Sequence, residues 1–182
     1  MTKPLLLHIC CGPCGMAFVK GIADEGFAPA PLWYNPNIHP YKEYENRRAS
    51  AIKFADAAGL TVRTCGDYGL MEFLENVPWQ EEESKCSWCY RARLEYAAKY
   101  AAKWGYGAFS TTLLASPYQD FDAICQIGAK AAQEYGLDFV TTDFRGGYRA
   151  AMDEARQTGL YMQKYCGCIF SEEERYRRRN PR

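Results

Sequence analysis

The chain lacks an excess of charge of either sign: 22 Lys and Arg offset 22 Asp and Glu over 182 residues. That balance excludes the strongly basic composition of a wholly electrostatic nucleic-acid binder, and leaves only a local basic patch open. Also missing is any apolar run near the roughly 18 residues that a membrane helix needs. No basic segment followed by an apolar one opens the chain as a secretory leader would. A cytoplasmic protein without a membrane partner is the expectation. Repeats, low-complexity tracts and interdomain linkers are absent too. With 48% hydrophobic and 15% aromatic residues, the chain has the apolar content that disordered segments lack. Residues 1–182 therefore read as a single domain, with an irregular insertion at about 65–86 and a basic C-terminal tail at about 172–182.

Cysteine is what the chain has in excess. There are nine, an odd number that excludes a fully paired disulfide framework. In a reducing compartment, cysteines gathered in motifs bind metal or do redox chemistry more often than they form structural disulfides.

Apolar and polar patterning places these motifs on elements. Leu5-Leu6-Leu7-His8-Ile9 predicts a strand buried on both faces, followed by Cys10-Cys11-Gly12-Pro13-Cys14 and a helix from about Gly15 to Glu25. Further strands are expected at Ala30 to Tyr34, Leu60 to Thr64, Gly107 to Leu114 and Leu137 to Thr141. Helices are expected at Tyr41 to Ala58, Ser87 to Trp104 and Asp120 to Tyr135, the second burying Tyr90, Leu94, Ala97, Ala98, Ala101 and Trp104. From Cys65 to Lys85 the chain reads as irregular, with an acidic run at Glu81-Glu82-Glu83. Alternating strands and helices predict an α/β, Rossmann-like, mostly parallel sheet flanked by helices, with ligands beyond the carboxyl ends of the strands. Cys10 and Cys11, Asn35 and Asn37, Cys65, and Ser116 to Tyr118 fall at that edge.

Cys11-Gly-Pro-Cys14 has the form of a thioredoxin redox motif at a helix start. An extra Cys10, no preceding Trp and a second, unused pair stand against that reading. Cys86-Ser-Trp-Cys89 puts two thiols on the first turn of a helix, and two such pairs point to a four-thiolate metal site. Spacing does not choose between structural zinc and an iron-sulfur cluster. Cys166-Gly-Cys168 reads as a strained, readily reduced redox couple, as surface thiols or as further ligands. Cys125 reads as a small buried hydrophobe, and Cys65 has no partner in sequence. His8 reads as a core histidine, whereas His39 is placed in a loop facing substrate or solvent. Tyr118 and Asp120 are candidate acids by location, their simpler roles being a turn residue and a helix cap. Trp33, Tyr34, Tyr41 and Tyr44 could stack on bases or pack. Arg175, Arg177, Arg178, Arg179 and Arg182 could contact phosphates or stay solvated.

These motifs together resemble the QueH-type epoxyqueuosine reductases. The likeness runs through His8-Ile9-Cys10-Cys11-Gly12-Pro13-Cys14, Tyr34-Asn35-Pro36-Asn37-Ile38, Arg47, Cys86-Ser-Trp-Cys89-Tyr-Arg91, Thr111 to Tyr118 and Tyr165-Cys166-Gly167-Cys168-Ile169-Phe170-Ser171. It implies an adenine-nucleotide α-hydrolase-like fold. It also implies an oxidoreductase of tRNA processing that reduces wobble epoxyqueuosine to queuosine, the last step of queuosine biosynthesis, with electrons from an unidentified donor. By the same resemblance Cys10, Cys11, Cys86 and Cys89 hold a [4Fe-4S] cluster, and Cys166 with Cys168 form a redox-active disulfide or border an additional mononuclear iron together with Cys14. The alternatives are a thiol-disulfide oxidoreductase using Cys11 and Cys14, and a zinc-stabilised RNA-binding module.

Overall fold

The computed structural model describes residues 2–78 and 84–177. Five strands, β1 (Lys3–His8), β2 (Phe27–Trp33), β3 (Arg63–Thr64), β4 (Ala108–Thr111) and β5 (Asp138–Phe139), form one sheet in the order β3-β2-β1-β4-β5. Every pairing is parallel. Among the described residues, seven α-helices flank it: α1 (Gly12–Asp24), α2 (Tyr41–Ala57), α3 (Leu70–Asn76), α4 (Lys85–Lys103), α5 (Phe121–Tyr135), α6 (Tyr148–Gln157) and α7 (Ile169–Arg177). This is the doubly wound arrangement that strand-helix alternation predicts. None of these helices is long and apolar enough to cross a membrane.

Leu5, Leu6 and Leu7 are fully buried, because β1 lies at the sheet centre with helices over both faces. β2 contains Pro29 and Pro31, which cannot donate to a ladder. The Leu32 carbonyl accepts from Ile9 on the β1 side and the Trp33 carbonyl from Cys65 on the β3 side. Alternation therefore turns both prolines toward β3, which pairs only with Leu32 and Trp33. The short β3 spares the sheet two missing donors.

Two apolar clusters hold the layers. One joins β1 and β4 to α1, α4 and α5 through Phe18, Leu94, Phe109 and Ile124; the other joins Ile9 and Trp33 to α2 and α6 through Phe54, Ala55 and Ala155. Helix α1 approaches α2 so closely that a Cβ on Gly12 would lie 2.5 Å from the Ser50 carbonyl oxygen, so only glycine fits at the first turn beside the cysteines.

Several boundaries differ from expectation. β4 ends at Thr111, whose Oγ1 accepts from the Leu113 amide at 3.2 Å and caps a 3-10 turn over Thr112–Ala115. Trp104 is not on the buried face: α4 ends before it, it is 48% exposed, and it stacks on Tyr100 with the Arg63 guanidinium over its ring. The stretch expected to be irregular contains α3, anchored by buried Phe73. The expected tail is in part helix α7, exposed over its last five residues. Glu81 to Glu83 and Arg178, Arg179 and Arg182 lie outside the described residues.

β2 and β4 lie on opposite sides of β1, so the strand order reverses between β1 and β4. A crevice opens there beyond the carboxyl ends.

Candidate metal centre

The end of β1 delivers the first thiols. Cys11 is the N-cap of α1 in extended geometry (φ −172°), and its Sγ accepts from the Cys14 amide at 3.4 Å. The Sγ atoms of Cys10, Cys11 and Cys14 lie within 4.8 Å of one another, and all three residues are buried. Cys10 is fixed by Thr112, whose Oγ1 accepts from its amide at 3.2 Å and lies 3.4 Å from its Sγ. Contact with the Cys11 and Cys14 thiols holds the Cys10 thiol well below the usual range, whereas Cys11 is pushed up by burial and Cys14 by its contact with the other two thiols. A metal ion bound by such thiols would favour their deprotonated forms.

Helix α4 delivers the next pair. Ser84 caps it by accepting from the Cys86 amide at 3.2 Å, placing Cys86 and Cys89 on the first turn. One turn on, Arg93 donates to the Cys89 carbonyl at 2.8 Å and to its Sγ at 3.4 Å. Burial still pushes Cys89 up to about 11.

The third pair is held by a buried arginine. Arg47 pairs with Glu43 at 2.7 Å and donates to the carbonyls of Cys166 at 2.8 Å and Tyr165 at 2.7 Å. The Tyr161 hydroxyl donates to the same Glu43, and the Tyr165 hydroxyl to the His39 carbonyl. Gly167, at φ +131°, turns the chain between the two thiols, where a Cβ would press on Arg47 and Ile38. The Cys166 and Cys168 Sγ atoms are 3.9 Å apart. A hydrogen bond from Cys168, helped by Ser171, lowers Cys166 to about 5, and Cys168 is raised in turn.

Cys10, Cys14, Cys86, Cys89, Cys166 and Cys168 border one cavity, with Arg47 and Arg93 in its wall. The three motifs read separately in sequence thus meet at the strand-order reversal. Cys11 adjoins this cavity through Cys10 and Cys14 rather than bordering it. Cys65 and Cys125 lie elsewhere, each partly buried against the core.

Other expectations resolve simply. His8 is a core histidine: Nε2 faces the Tyr34 carbonyl and Asn35 Oδ1, two acceptors, so it carries the proton and Nδ1 accepts from Thr111. Burial, aided by Arg93, lowers it to about 4. His39 is not at solvent: it is fully buried against Tyr68 and Phe73, with neither ring nitrogen partnered. Asp120 is the helix cap, accepting from the Ala123 amide at 3.0 Å, and Tyr118 is 82% exposed. Trp33 and Tyr44 are core, Tyr34 stacks on Tyr96 at 3.6 Å, and Tyr41 is exposed. Arg177 pairs with Glu173. Sequence reasoning missed Arg93, Gln119 and Gln163 in the cavity wall. Arg93 had a signal, since it lies four residues beyond Cys89 on the same helix face.

The donor set is all sulfur, with amide and guanidinium hydrogen bonds to three of the thiols, Cys11, Cys89 and Cys168. That chemistry suits thiophilic iron or zinc, and hydrogen bonds to sulfur are what tune iron-sulfur centres. All nine cysteines are free, and the expected disulfide between Cys166 and Cys168 finds no support. Exchange with protein disulfides through Cys11 and Cys14 is not favoured either, because both are buried with raised pKa and such chemistry needs an accessible thiolate.

Comparison with known proteins agrees with this construction. The family model described as epoxyqueuosine reductase QueH matches residues 5–174. Curated epoxyqueuosine reductases QueH are similar over nearly the whole chain. That of Dehalococcoides mccartyi is 38% identical, covering 99% of this chain and 98% of the relative. The Thermotoga maritima protein is 36% identical, covering 94% and 91%. That of Haemophilus influenzae is 34% identical, covering 92% and 71%. Among solved structures, the U34-tRNA thiolase NcsA from Methanococcus maripaludis with its [4Fe-4S] cluster superposes with a TM-score of 0.60 at 10% identity, covering 99% of this chain and 68% of that one. At that identity the likeness is one of fold. The family match and the meeting of the cysteine motifs lead to one conclusion: this chain belongs to the QueH family of epoxyqueuosine reductases.

Proposed function

We propose that this chain reduces the epoxide of epoxyqueuosine, at the wobble position of tRNA, to the alkene of queuosine. Two electrons and two protons enter, both carbon-oxygen bonds of the epoxide break, and the oxygen leaves as water. The observation that carries the reading is that Cys10, Cys14, Cys86 and Cys89 border one cavity, with Cys11 beside Cys10 and Cys14, in a chain of this family.

In this reading those four thiolates hold a [4Fe-4S] cluster, and Cys166 and Cys168, with Cys14, border an additional iron. Bound there, the metal groups supply single electrons at low potential and a Lewis acid for the epoxide oxygen. The protein's residues do the rest. Arg93 and Thr112 direct hydrogen bonds at Cys89 and Cys10, stabilising sulfur-borne charge. Arg47 fixes the carbonyls of residues 165 and 166, and so the aim of the last two thiols. Cys166 and Cys168, their Sγ atoms 3.9 Å apart at the cavity wall, would lose their protons on binding a metal ion. Apolar Phe73, Ile38 and Leu113 line part of the wall.

Anaerobic purification with iron, acid-labile sulfide and zinc analysis tests the metal assignment. Brown protein containing iron and sulfide is expected; colourless protein with zinc alone contradicts it.

A further inference from the structure

The thiol cavity adjoins a larger chamber, with Ser116, Gln119, Gln163 and Cys166 bordering both. The inner space measures ≈ 40 Å³ and the outer ≈ 560 Å³. Sites for nucleoside-sized ligands run to roughly 300–1,000 Å³, so the outer chamber is the one with room.

Its walls carry charge of one sign. Arg156, Lys164 and Arg175 border the chamber, and an adjoining hollow adds Arg145 and Arg149, with no Asp or Glu lining either among the described residues. Asp153 offsets Arg156 and Asp143 offsets Arg145; Arg149, Lys164 and Arg175 form no ion pair among the described residues. In a chain of zero net charge, this is a concentration of cations beside a reaction cavity. Tyr118 stands among them, 82% exposed, its ring edge-to-face with Tyr148 at 5.9 Å. An aromatic face left in water beside cations is what single-stranded nucleic acid stacks on. At the neck, Gln163 Oε1 is buried with no hydrogen-bond partner. A buried amide oxygen without a donor is costly, and a ligand that brings one relieves it.

We propose that the outer chamber seats a single-stranded RNA loop. Lys164, Arg175 and Arg149 hold its phosphates, Tyr118 stacks a base, and the nucleotide to be modified turns through the neck past Gln163 toward the thiols. The proposal deepens the reductase reading and rests on it for the identity of the nucleic acid.

The test uses anaerobically prepared, iron-containing protein and a fluorescently labelled anticodon stem-loop, followed by anisotropy across a salt series. The double variant Lys164→Glu with Arg175→Glu is expected to weaken binding at least tenfold and to lower the slope of log affinity against log salt by about 2. Tyr118→Ala is expected to weaken it about tenfold. The charge-matched control Lys99→Glu with Lys130→Glu, its first site about 20 Å along α4 from Cys86, should bind as wild type. Iron content equal to wild type shows that each variant is folded. Wild-type affinity and salt slope in both chamber variants, or no RNA binding by wild type, overturns the proposal. Epoxide reduction with unaltered RNA affinity in the chamber variants removes the chamber and keeps the reductase. Chamber-dependent RNA binding without reduction does the reverse.

Discussion

Arg47 ties three parts of the site together. Its guanidinium is buried against Glu43 and spends its other donors on the Tyr165 and Cys166 carbonyls. Replacing it by Ala leaves a buried carboxylate unpaired and two carbonyls without donors, a loss of about 3–5 kcal/mol, read by urea unfolding; stability within about 1 kcal/mol of wild type would remove Arg47 from this role. Arg47→Lys should recover little, since an ammonium lacks the planar fork. His39 gives a pH dependence of known sign. Burial lowers it to about 4 from 6.5, so between those values only the unfolded chain binds the proton. Stability is therefore full above pH 6.5 and falls as pH drops toward 4. His39→Phe should show a smaller fall over that window, with the remainder from His8; an unchanged profile contradicts the assignment. Spacing revealed the cysteine motifs because ligand pairs at i and i+3 are a local property. The burial of His39 was not legible, because it depends on Tyr68 and Phe73, which come together only in the fold.

At the level of elements, most strands and helices followed from punctuation and periodicity. Tyr41–Ala57 and Phe121–Tyr135 fall within a residue of expectation, since Pro40 precedes one and Asp120 and Gly136 bracket the other. The misreadings have physical causes. Thr111 caps a turn by a side-chain bond that apolar patterning does not encode, and α3 has a single buried anchor, too few for a period. Helix α6 went unread because only Ala151, Met152 and Ala155 are buried along it. Packing of α5 on the sheet makes a sharp prediction. A Cβ on Gly128 would lie 2.2 Å from the Phe139 ring, so Gly128→Ala should cost about 1–3 kcal/mol by overpacking. Cys125→Ala, on the same helix at a half-buried position, should cost less and leave iron content unchanged. Cys86→Ala and Cys89→Ala, at the start of α4, should each abolish the cluster's sulfide and visible absorption. Equal iron loss from all three cysteine variants would undo the partition of the thiols.

For the whole molecule, the strand order explains why distant motifs share a site. Cysteines after β1 and at the start of α4 meet because both border the crevice where the order reverses, and the 161–168 segment is strapped across it by Arg47 and Glu43. The fold class was legible in strand-helix alternation, whereas the strap was not, because its bonds join residues more than a hundred positions apart. Neutral overall charge fits an enzyme whose cations gather beside the chamber. The central claim is reductive removal of the epoxide oxygen at this set of thiols with the metal proposed for them. Its most direct test is the mass of the wobble nucleoside after anaerobic incubation of epoxyqueuosine-containing tRNA with the iron-containing protein and a chemical reductant. The account predicts a nucleoside lighter by one oxygen atom with wild-type protein and an unchanged one with Cys89→Ala. An unchanged nucleoside from fully iron-loaded wild-type protein would contradict it.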